Sequence, residues 1–247
     1  MTKNQEGYFD MKRKKIRRRY IIKRRFKIFC LLLILAISFP FLHNHFSPKQ
    51  QNHIVTSPDS ILVLVNRNNN LPNGYVPKDL VTPNIQFTFK EDLPKKQMRK
   101  EAAEAIEALF AEAEKNGMKL YGVSGYRPYE RQKQIFDQKA LATGEAEAMK
   151  YVALPGQSEH QTGLAMDITS EKGAKNLLKE GFGKTPEYQW LKENAHKYGF
   201  IIRYPQGKED ITGYNYEPWH IRYVGVKSAT KIFKKDITLE EFISGAK

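Results

Sequence analysis

The segment S-E-H-Q-T-G-L-A-M-D runs from Ser158 to Asp167 and contains His160. Further along the chain, E-P-W-H supplies Glu217 and His220. Two imidazoles and one carboxylate can hold a zinc ion and leave a fourth position open for water, as catalytic zinc sites do, whereas structural sites close all four positions. The second carboxylate, Glu217, is placed to take a proton from that water. These residues therefore favour hydrolysis over binding alone, with one zinc ion as the cofactor.

The spacing differs from the helical zinc motif H-E-x-x-H, in which both histidines share one helical face. A glycine separates His160 from Asp167, and Pro218 disfavours a continuous helix between Glu217 and His220. The ligands are therefore expected to come from two turns and a strand that the fold brings together. Either half of the pattern is weak evidence by itself, because a single histidine near a strand is more often a core or surface residue.

Hydrophobic periodicity predicts a mixture of helices and strands around these motifs. Helices are predicted at 95–116, through Gln132 to Ala140, and at 186–198; strands are predicted at 61–65, 119–124, 164–169, 200–204 and 220–224. Residues 143–157 are predicted to form a loop. Because helices and strands do not alternate as regular βαβ units, the pattern predicts an α+β fold, with a small antiparallel sheet flanked by helices in a single domain. In the strand at 164–169, alternation directs Asp167 into a cleft.

The net charge of +14 is concentrated at the N-terminus. Residues 1–27 contain 12 Lys/Arg and 2 Asp/Glu, and the other 220 residues carry a net charge of only +4. Residues 28–42 contain no charge over 15 positions, slightly short of the roughly 20 residues that span a bilayer. Dense basic charge stays on the cytoplasmic side. We therefore expect a cytoplasmic tail (1–27), a single-pass transmembrane anchor in the cell membrane (28–42), a linker (43–59) and an extracytoplasmic domain (60–247).

Two alternatives for the N-terminus are open. A basic run can be an arm that binds nucleic acid, but the adjoining apolar segment explains the charges, so no nucleic-acid partner is predicted. Ala36 and Ser38 form a weak cleavage site for a secretory signal, although Pro40 and the long basic region favour a retained anchor. The only cysteine, Cys30, lies in the apolar segment, so the exported domain has no disulfide and depends on its core and its metal for stability.

Four blocks of sequence together resemble the VanY-type D-alanyl-D-alanine carboxypeptidases, a family that includes the related L,D-carboxypeptidases of cell-wall tetrapeptides. In chain order the blocks are S-G-Y-R-P-Y-E-R-Q (Ser124–Gln132), S-E-H-Q-T-G-L-A-M-D (Ser158–Asp167), G-F-I-I-R-Y-P (Gly199–Pro205) and E-P-W-H-I-R-Y-V-G (Glu217–Gly225). The similarity extends over residues 62–226, most of the predicted domain. As a set the four blocks are highly specific, although each is short.

The resemblance implies a zinc metallopeptidase that removes the terminal D-alanine from peptidoglycan stem peptides, with D-Ala-D-Ala pentapeptide ends as the first expectation. It implies that zinc is bound by His160, Asp167 and His220. It also implies that Glu217 is the general base and that Arg127 stabilises charge at the scissile carbonyl. Residues expected to line the substrate pocket are Gln132, Ser158 and Tyr204.

Two further charged residues have competing interpretations. A carboxypeptidase must recognise a free terminal carboxylate, and a planar guanidinium suits that task, so Arg127 and Arg222 are the cationic candidates. For Arg222, a position at a strand edge or beside the metal ligands is the favoured interpretation. Glu159 is adjacent to a metal ligand, but a surface or salt-bridge role is favoured for it.

Three other functions compete with the D,D-carboxypeptidase. One is an L,D-carboxypeptidase that acts on tetrapeptide stems, and another is an endopeptidase that cuts inside a stem. The third is a non-catalytic, zinc-bearing module that binds the cell wall, because a fold by itself does not establish an activity. The presence of both Glu217 and Arg127 favours an enzyme, since a purely structural zinc site needs neither residue.

Overall fold

The computed structural model of the chain describes residues 57–149, 151–175 and 178–245. The predicted tail (1–27), anchor (28–42) and most of the predicted linker (43–59) lie outside the described residues. Within the described ranges, no helix combines the length and the apolar character needed to cross a bilayer.

Helices surround a small central sheet in the described part of the chain. The α-helices are α1 (Lys100–Lys115), α2 (Tyr129–Thr143), α3 (Glu145–Ala148), α4 (Pro186–Asn194), α5 (Glu209–Thr212), α6 (Val226–Lys235) and α7 (Leu239–Ile243). Short 3-10 helices occupy Pro94–Lys96, Glu159–Thr162, Lys172–Lys175, Glu180–Lys184 and Ala195–Tyr198. The strands are β1 (Leu80–Val81), β2 (Met98–Arg99), β3 (Leu120–Ser124), β4 (Ala165–Ser170), β5 (Phe200–Tyr204) and β6 (Glu217–Tyr223).

The main sheet has four strands in the order β3-β4-β6-β5, and each neighbouring pair is antiparallel. A separate antiparallel pair joins β1 to β2. The α+β architecture with a small antiparallel sheet is thus confirmed. Strands β4 and β6 occupy the centre of the main sheet, so residues on them are held by hydrogen bonds on both sides.

The core forms between α1 and the sheet. Helix α1 buries one apolar face, whose spacing is that of an amphipathic helix: Ala102, Ala103, Ile106, Leu109, Phe110 and Ala113. The same cluster contains residues of β4, β5 and β6, among them Met166, Ile168, Phe200 and Ile221. Each fully buried side chain of this size contributes roughly 1.5–3 kcal/mol. The core therefore holds the two central strands in a fixed position.

The structure differs from the predicted elements at four main places. Residues 61–65 are not a strand, because the carbonyls of Ile61 and Val63 accept hydrogen bonds from the Arg222 side chain instead of from a neighbouring strand. Helix α1 begins at Lys100 rather than near residue 95, because the residues before it form a 3-10 turn and then β2. Strand β6 begins at Glu217 rather than His220, and the predicted loop at 143–157 contains the short helix α3.

Candidate active site

The register of β4 against β6 brings two predicted metal ligands together. Asp167 lies directly opposite His220, and opposed residues on antiparallel strands have Cβ atoms only about 5 Å apart. The third ligand, His160, lies on the 3-10 helix that precedes β4. Gly163 ends this helix with φ +66°, and a Cβ there would lie 2.8 Å from Leu80 Cδ2. Glycine therefore permits the tight turn that connects the 3-10 helix of His160 to β4.

The ligand atoms have the separation that a zinc ion requires. Asp167 Oδ1 lies 3.0 Å from His220 Nδ1, and Asp167 Oδ2 lies 3.3 Å from His160 Nε2. The donor atoms of all three residues lie within 4.8 Å of one another, and all three side chains are buried. Tetrahedral zinc with bonds of about 2.0–2.1 Å places its ligand atoms roughly 3.3 Å apart. The residues present therefore fit one zinc ion.

Each histidine ring is held in its orientation by a contact at the nitrogen that faces away from the metal position. His160 Nδ1 lies 2.8 Å from the carbonyl oxygen of Gly125, to which it donates when Nε2 binds metal. His220 Nε2 lies 3.4 Å from Glu159 Oε2, which leaves Nδ1 facing Asp167. Partners of this kind fix the tautomer and the orientation of metal-binding histidines.

Glu217 lies at the edge of the metal position. Its Oε2 is 3.9 Å from His220 Nδ1, and its side chain is 20% exposed. Residues three apart face opposite sides of a regular strand, but the register of β5 against β6 shifts between Ile202 and Tyr204. This irregularity turns both Glu217 and His220 toward the same cleft. Burial raises the pKa of Glu217 to about 7, against the attraction of His220.

Arg127 is held beside the metal position by its neighbours. Its Nη1 donates to Gln132 Oε1 at 2.9 Å, and its Nη2 donates to Ser124 Oγ at 3.2 Å. Gln132 is itself fixed, because its Nε2 donates to the carbonyl oxygen of Ala153 at 2.7 Å. The backbone N–H of Arg127 donates to the carbonyl oxygen of His160 at 3.1 Å. The guanidinium is therefore held in place, and it interacts electrostatically with Asp167 and Glu217.

All eight residues predicted for the site line one cleft of about 650 Å³. Within it, the Tyr204 ring lies 5.0 Å from the ring of His220, and Ser158 is buried. The lining of the cleft also includes Tyr151, Leu178, Lys179, Glu180 and Asn215. A volume of this size is typical of a site for a small molecule or a short peptide.

The pKa values of Asp167 and His220 depend on the charged groups around them. Burial disfavours an ionised Asp167, but His160 and His220 hold its pKa well below the usual range. Burial also opposes a charged His220, yet Asp167 and Glu159 raise its pKa to about 9 in the protein without metal. Zinc bound at His220 would displace this proton, which would couple metal affinity to pH.

Sequence reasoning missed a buried ion network beside the site. Glu159 and Arg222 form an ion pair at 2.7 Å, and neither side chain is exposed. The surface alternative for Glu159 was therefore wrong, while the salt-bridge alternative is confirmed. Arg222 cannot serve as a carboxylate receptor in the cleft, because its donors are used by Glu159 and by three backbone carbonyls. The signal available in the sequence was Arg203, a charged residue in the apolar strand F-I-I-R-Y.

The family model for the D-alanyl-D-alanine carboxypeptidase VanY matches residues 95–226. The chain belongs to the VanY family. YodJ of Bacillus subtilis is 52% identical over 193 residues, which are 78% of this chain and 70% of that protein. The D-alanyl-D-alanine carboxypeptidase of Enterococcus faecalis is 37% identical over 197 residues, which are 75% of this chain and 66% of that protein.

Solved structures of VanY-type enzymes have the same fold. The structure of the LdcB LD-carboxypeptidase matches with a TM-score of 0.74 at 53% identity and covers 78% of this chain and 89% of that chain. VanYB in complex with D-alanine-D-alanine matches with a TM-score of 0.59 at 36% identity and covers 75% of this chain and 98% of that chain. As a VanY family member the chain is a zinc metallopeptidase that acts on peptidoglycan peptides, so the predicted enzyme class and cofactor are confirmed.

Proposed function

We propose that this protein is a zinc-dependent L,D-carboxypeptidase that releases the terminal D-alanine from peptidoglycan stem tetrapeptides. The observation that carries the proposal is the 53% identity and TM-score of 0.74 to the LdcB LD-carboxypeptidase. The relatives with D,D names are 34–37% identical. This reverses the order of the sequence-based expectation, in which D,D cleavage came first and L,D cleavage second.

The residues that line the cleft also support L,D cleavage. In a tetrapeptide, the residue before the scissile bond is a diamino acid with a long side chain, whereas in a pentapeptide it is D-alanine with a methyl group. Besides the residues around the metal position, the cleft is lined by Tyr151, Leu178 and the exposed pair Lys179 and Glu180. A lining that combines apolar side chains with one positive and one negative group suits an aliphatic side chain with a polar end.

The geometry around the metal position supports the following catalytic roles. When bound, zinc supplies Lewis acidity, which polarises the scissile carbonyl and makes water more acidic. Glu217, with a pKa of about 7, takes the proton from the attacking water and passes it to the leaving amine, since a base works best when its pKa is close to the operating pH. Arg127 stabilises the negative charge that develops on the carbonyl oxygen.

The remaining cleft residues hold the substrate. Gln132 keeps the Arg127 guanidinium in place, and we propose that it lines the pocket for the terminal D-residue together with Ser158. Tyr204 also lines this cleft. A tyrosine combines an apolar ring with a polar tip, so it can contact a peptide and also bind its backbone.

A D,D-carboxypeptidase is the second candidate. The observations that favour it are the VanY family model and the match to VanYB in complex with D-alanine-D-alanine. It requires the same zinc ligands, the same Glu217 and the same Arg127. The two candidates differ only in the residue that occupies the cleft before the scissile bond.

The test compares D-alanine release by the zinc-loaded protein from a stem tetrapeptide and from the matching pentapeptide. Faster release from the tetrapeptide, measured as kcat/KM, is the expected result. Faster release from the pentapeptide would establish the D,D alternative. Release from neither substrate would shift the function to an endopeptidase or a wall-binding module. The variant Glu217→Gln serves as the control without a catalytic base.

We also propose that the catalytic domain lies on the extracytoplasmic side of the cell membrane, where peptidoglycan is assembled. The support comes from sequence alone: the basic residues 1–27 precede the apolar residues 28–42, an order that retains the N-terminus in the cytoplasm. Protease added to intact spheroplasts should degrade the domain, and full protection would contradict this topology.

A further inference from the structure

Glu159 differs from the other carboxylates of the site in its surroundings. Its side chain is completely buried, although it is adjacent to the metal ligand His160 in the chain. Its Oε1 accepts hydrogen bonds from Arg203 Nε and Arg222 Nη1, both at 2.7 Å. Its Oε2 lies 3.4 Å from His220 Nε2. One oxygen is thus occupied by two guanidinium groups, and the other faces the second histidine of the zinc site.

The orientation of His220 makes this contact informative. Its Nδ1 lies 3.0 Å from Asp167 Oδ1 and 3.9 Å from Glu217 Oε2, so Nδ1 faces the metal position. Nε2 therefore points away from the metal and toward Glu159. Metal-binding histidines commonly donate their outer N–H to a carboxylate or a carbonyl, which fixes the tautomer and makes the metal-binding nitrogen more basic. His160 has the carbonyl oxygen of Gly125 in this position.

We propose that Glu159 is a positioning residue for zinc binding, which holds the His220 ring with Nδ1 toward the metal by accepting the Nε2–H. The proposal rests on the zinc site of the proposed function. Glu159 touches neither the metal position nor the substrate in this role. It acts on the reaction only through His220.

The two arginines make Glu159 a rigid support. Arg203 Nη1 and Nη2 donate to Glu240 on α7 at 2.9 and 2.6 Å. Arg222 Nη2 donates to the carbonyl oxygens of Ile61 and Val63 at 3.1 and 2.8 Å. Glu159 is therefore tied to the C-terminal helix and to the first described segment of the domain. A buried carboxylate with both oxygens engaged has little freedom to turn away from the ring.

The experiment compares Glu159→Gln and Glu159→Asp with Glu240→Gln. A glutamine in place of Glu159 cannot accept from two guanidinium groups and one imidazole at once, because its amide nitrogen only donates. Aspartate keeps the charge, but its shorter side chain cannot contact the arginines and His220 together. Glu240→Gln is the matched control, since it removes the same charge from Arg203 without touching a metal ligand.

Zinc affinity is measured by competition with a chromophoric chelator, and the visible absorption of the cobalt(II)-loaded proteins reports ligand geometry. Both Glu159 variants should bind zinc about 10- to 100-fold more weakly than the wild type and should alter the cobalt spectrum. Glu240→Gln should bind zinc within about threefold of the wild type, although its metal-free form is destabilised. If Glu159→Gln fails to fold, Glu159→Asp decides the question.

Zinc affinities and cobalt spectra for the Glu159 variants that equal those of Glu240→Gln would overturn the positioning role. A wild-type protein that binds no zinc would instead contradict the proposed function. The two failures are distinguishable, because one concerns the variants and the other concerns the native chain.

Discussion

Replacing Glu217 with glutamine should stabilise the metal-free protein and abolish the activity of the zinc-loaded protein. Burial raises the pKa of Glu217 from 4.5 to about 7, so the folded state holds this proton more tightly than the unfolded state does. Ionisation therefore costs stability: the cost is absent below pH 4.5, grows as the pH rises, and is complete above about 7. A displacement of this size corresponds to roughly 3 kcal/mol.

Glutamine has nearly the same shape as glutamate and no charge, so the variant avoids this cost. We expect the metal-free Glu217→Gln protein to be more stable than the wild type by roughly 2 to 3 kcal/mol at pH 8. This corresponds to an increase in Tm of roughly 5–10 °C for a domain of this size. At pH 5 most of the difference should disappear, because the wild-type carboxyl is then protonated in the folded state.

The measurement is urea unfolding of the metal-free proteins at pH 5 and pH 8, followed by the fluorescence of Trp190 and Trp219, the only two tryptophans. Glu130→Gln is the control, because it removes a carboxylate that is exposed on α2 and should change stability little at either pH. An equal gain at both pH values, or no gain at pH 8, would refute the reasoning. Activity assays after zinc loading should show less than about one hundredth of wild-type turnover, as expected for loss of a general base.

Four further outcomes are expected from the geometry of the site. His160→Ala should lose bound zinc, measured by metal analysis after dialysis, and an unchanged zinc content would remove His160 from the ligand set. Chelation of the wild type should abolish hydrolysis until zinc is restored. Arg127→Lys should lower kcat/KM by about 100-fold with little change in Tm, because an ammonium group lacks the planar fork that stabilises the oxyanion; an unchanged kcat/KM would exclude that role. The kcat/KM of the wild type should fall as the pH is lowered from 8 to 5, since Glu217 must be ionised to act as a base. The midpoint should lie at or below about pH 7, because zinc favours the ionised form of Glu217. A profile that is flat from pH 8 to pH 5 would exclude Glu217 as the base.

The chemistry of the site was predictable because it depends on residue types at short spacing. His160, Asp167, Glu217 and His220 were identified from two short segments, and the structure brings their side chains together. Helix α1 and strand β5 were predictable for a related reason: an apolar face at helical spacing and a run of β-branched and aromatic residues are local signals. The strand was predicted with its observed bounds, but the start of α1 was not, because Pro94 opens a 3-10 turn rather than α1 itself.

Other features depended on contacts between distant segments. Residues 61–65 have the composition of a strand, but the Arg222 side chain, more than 150 positions away, takes the carbonyls that a strand would use. Glu159 and Arg222 were interpreted from their immediate neighbours, which could not reveal that the two side chains meet in the interior. Local patterns cannot predict such pairs, because burial of a charge is decided by which partner the fold places beside it.

The sequence by itself predicted the ligand set and the candidate base, because metal chemistry requires particular side chains and those side chains are visible in the printed chain. It also predicted the family, which is confirmed. Only the tertiary structure decided how these side chains act together. The pairing of Asp167 with His220 across β4 and β6, and the irregularity that turns Glu217 into the same cleft, are matters of strand register. Register depends on which strands meet, and that is decided by packing of the whole domain rather than by any local segment.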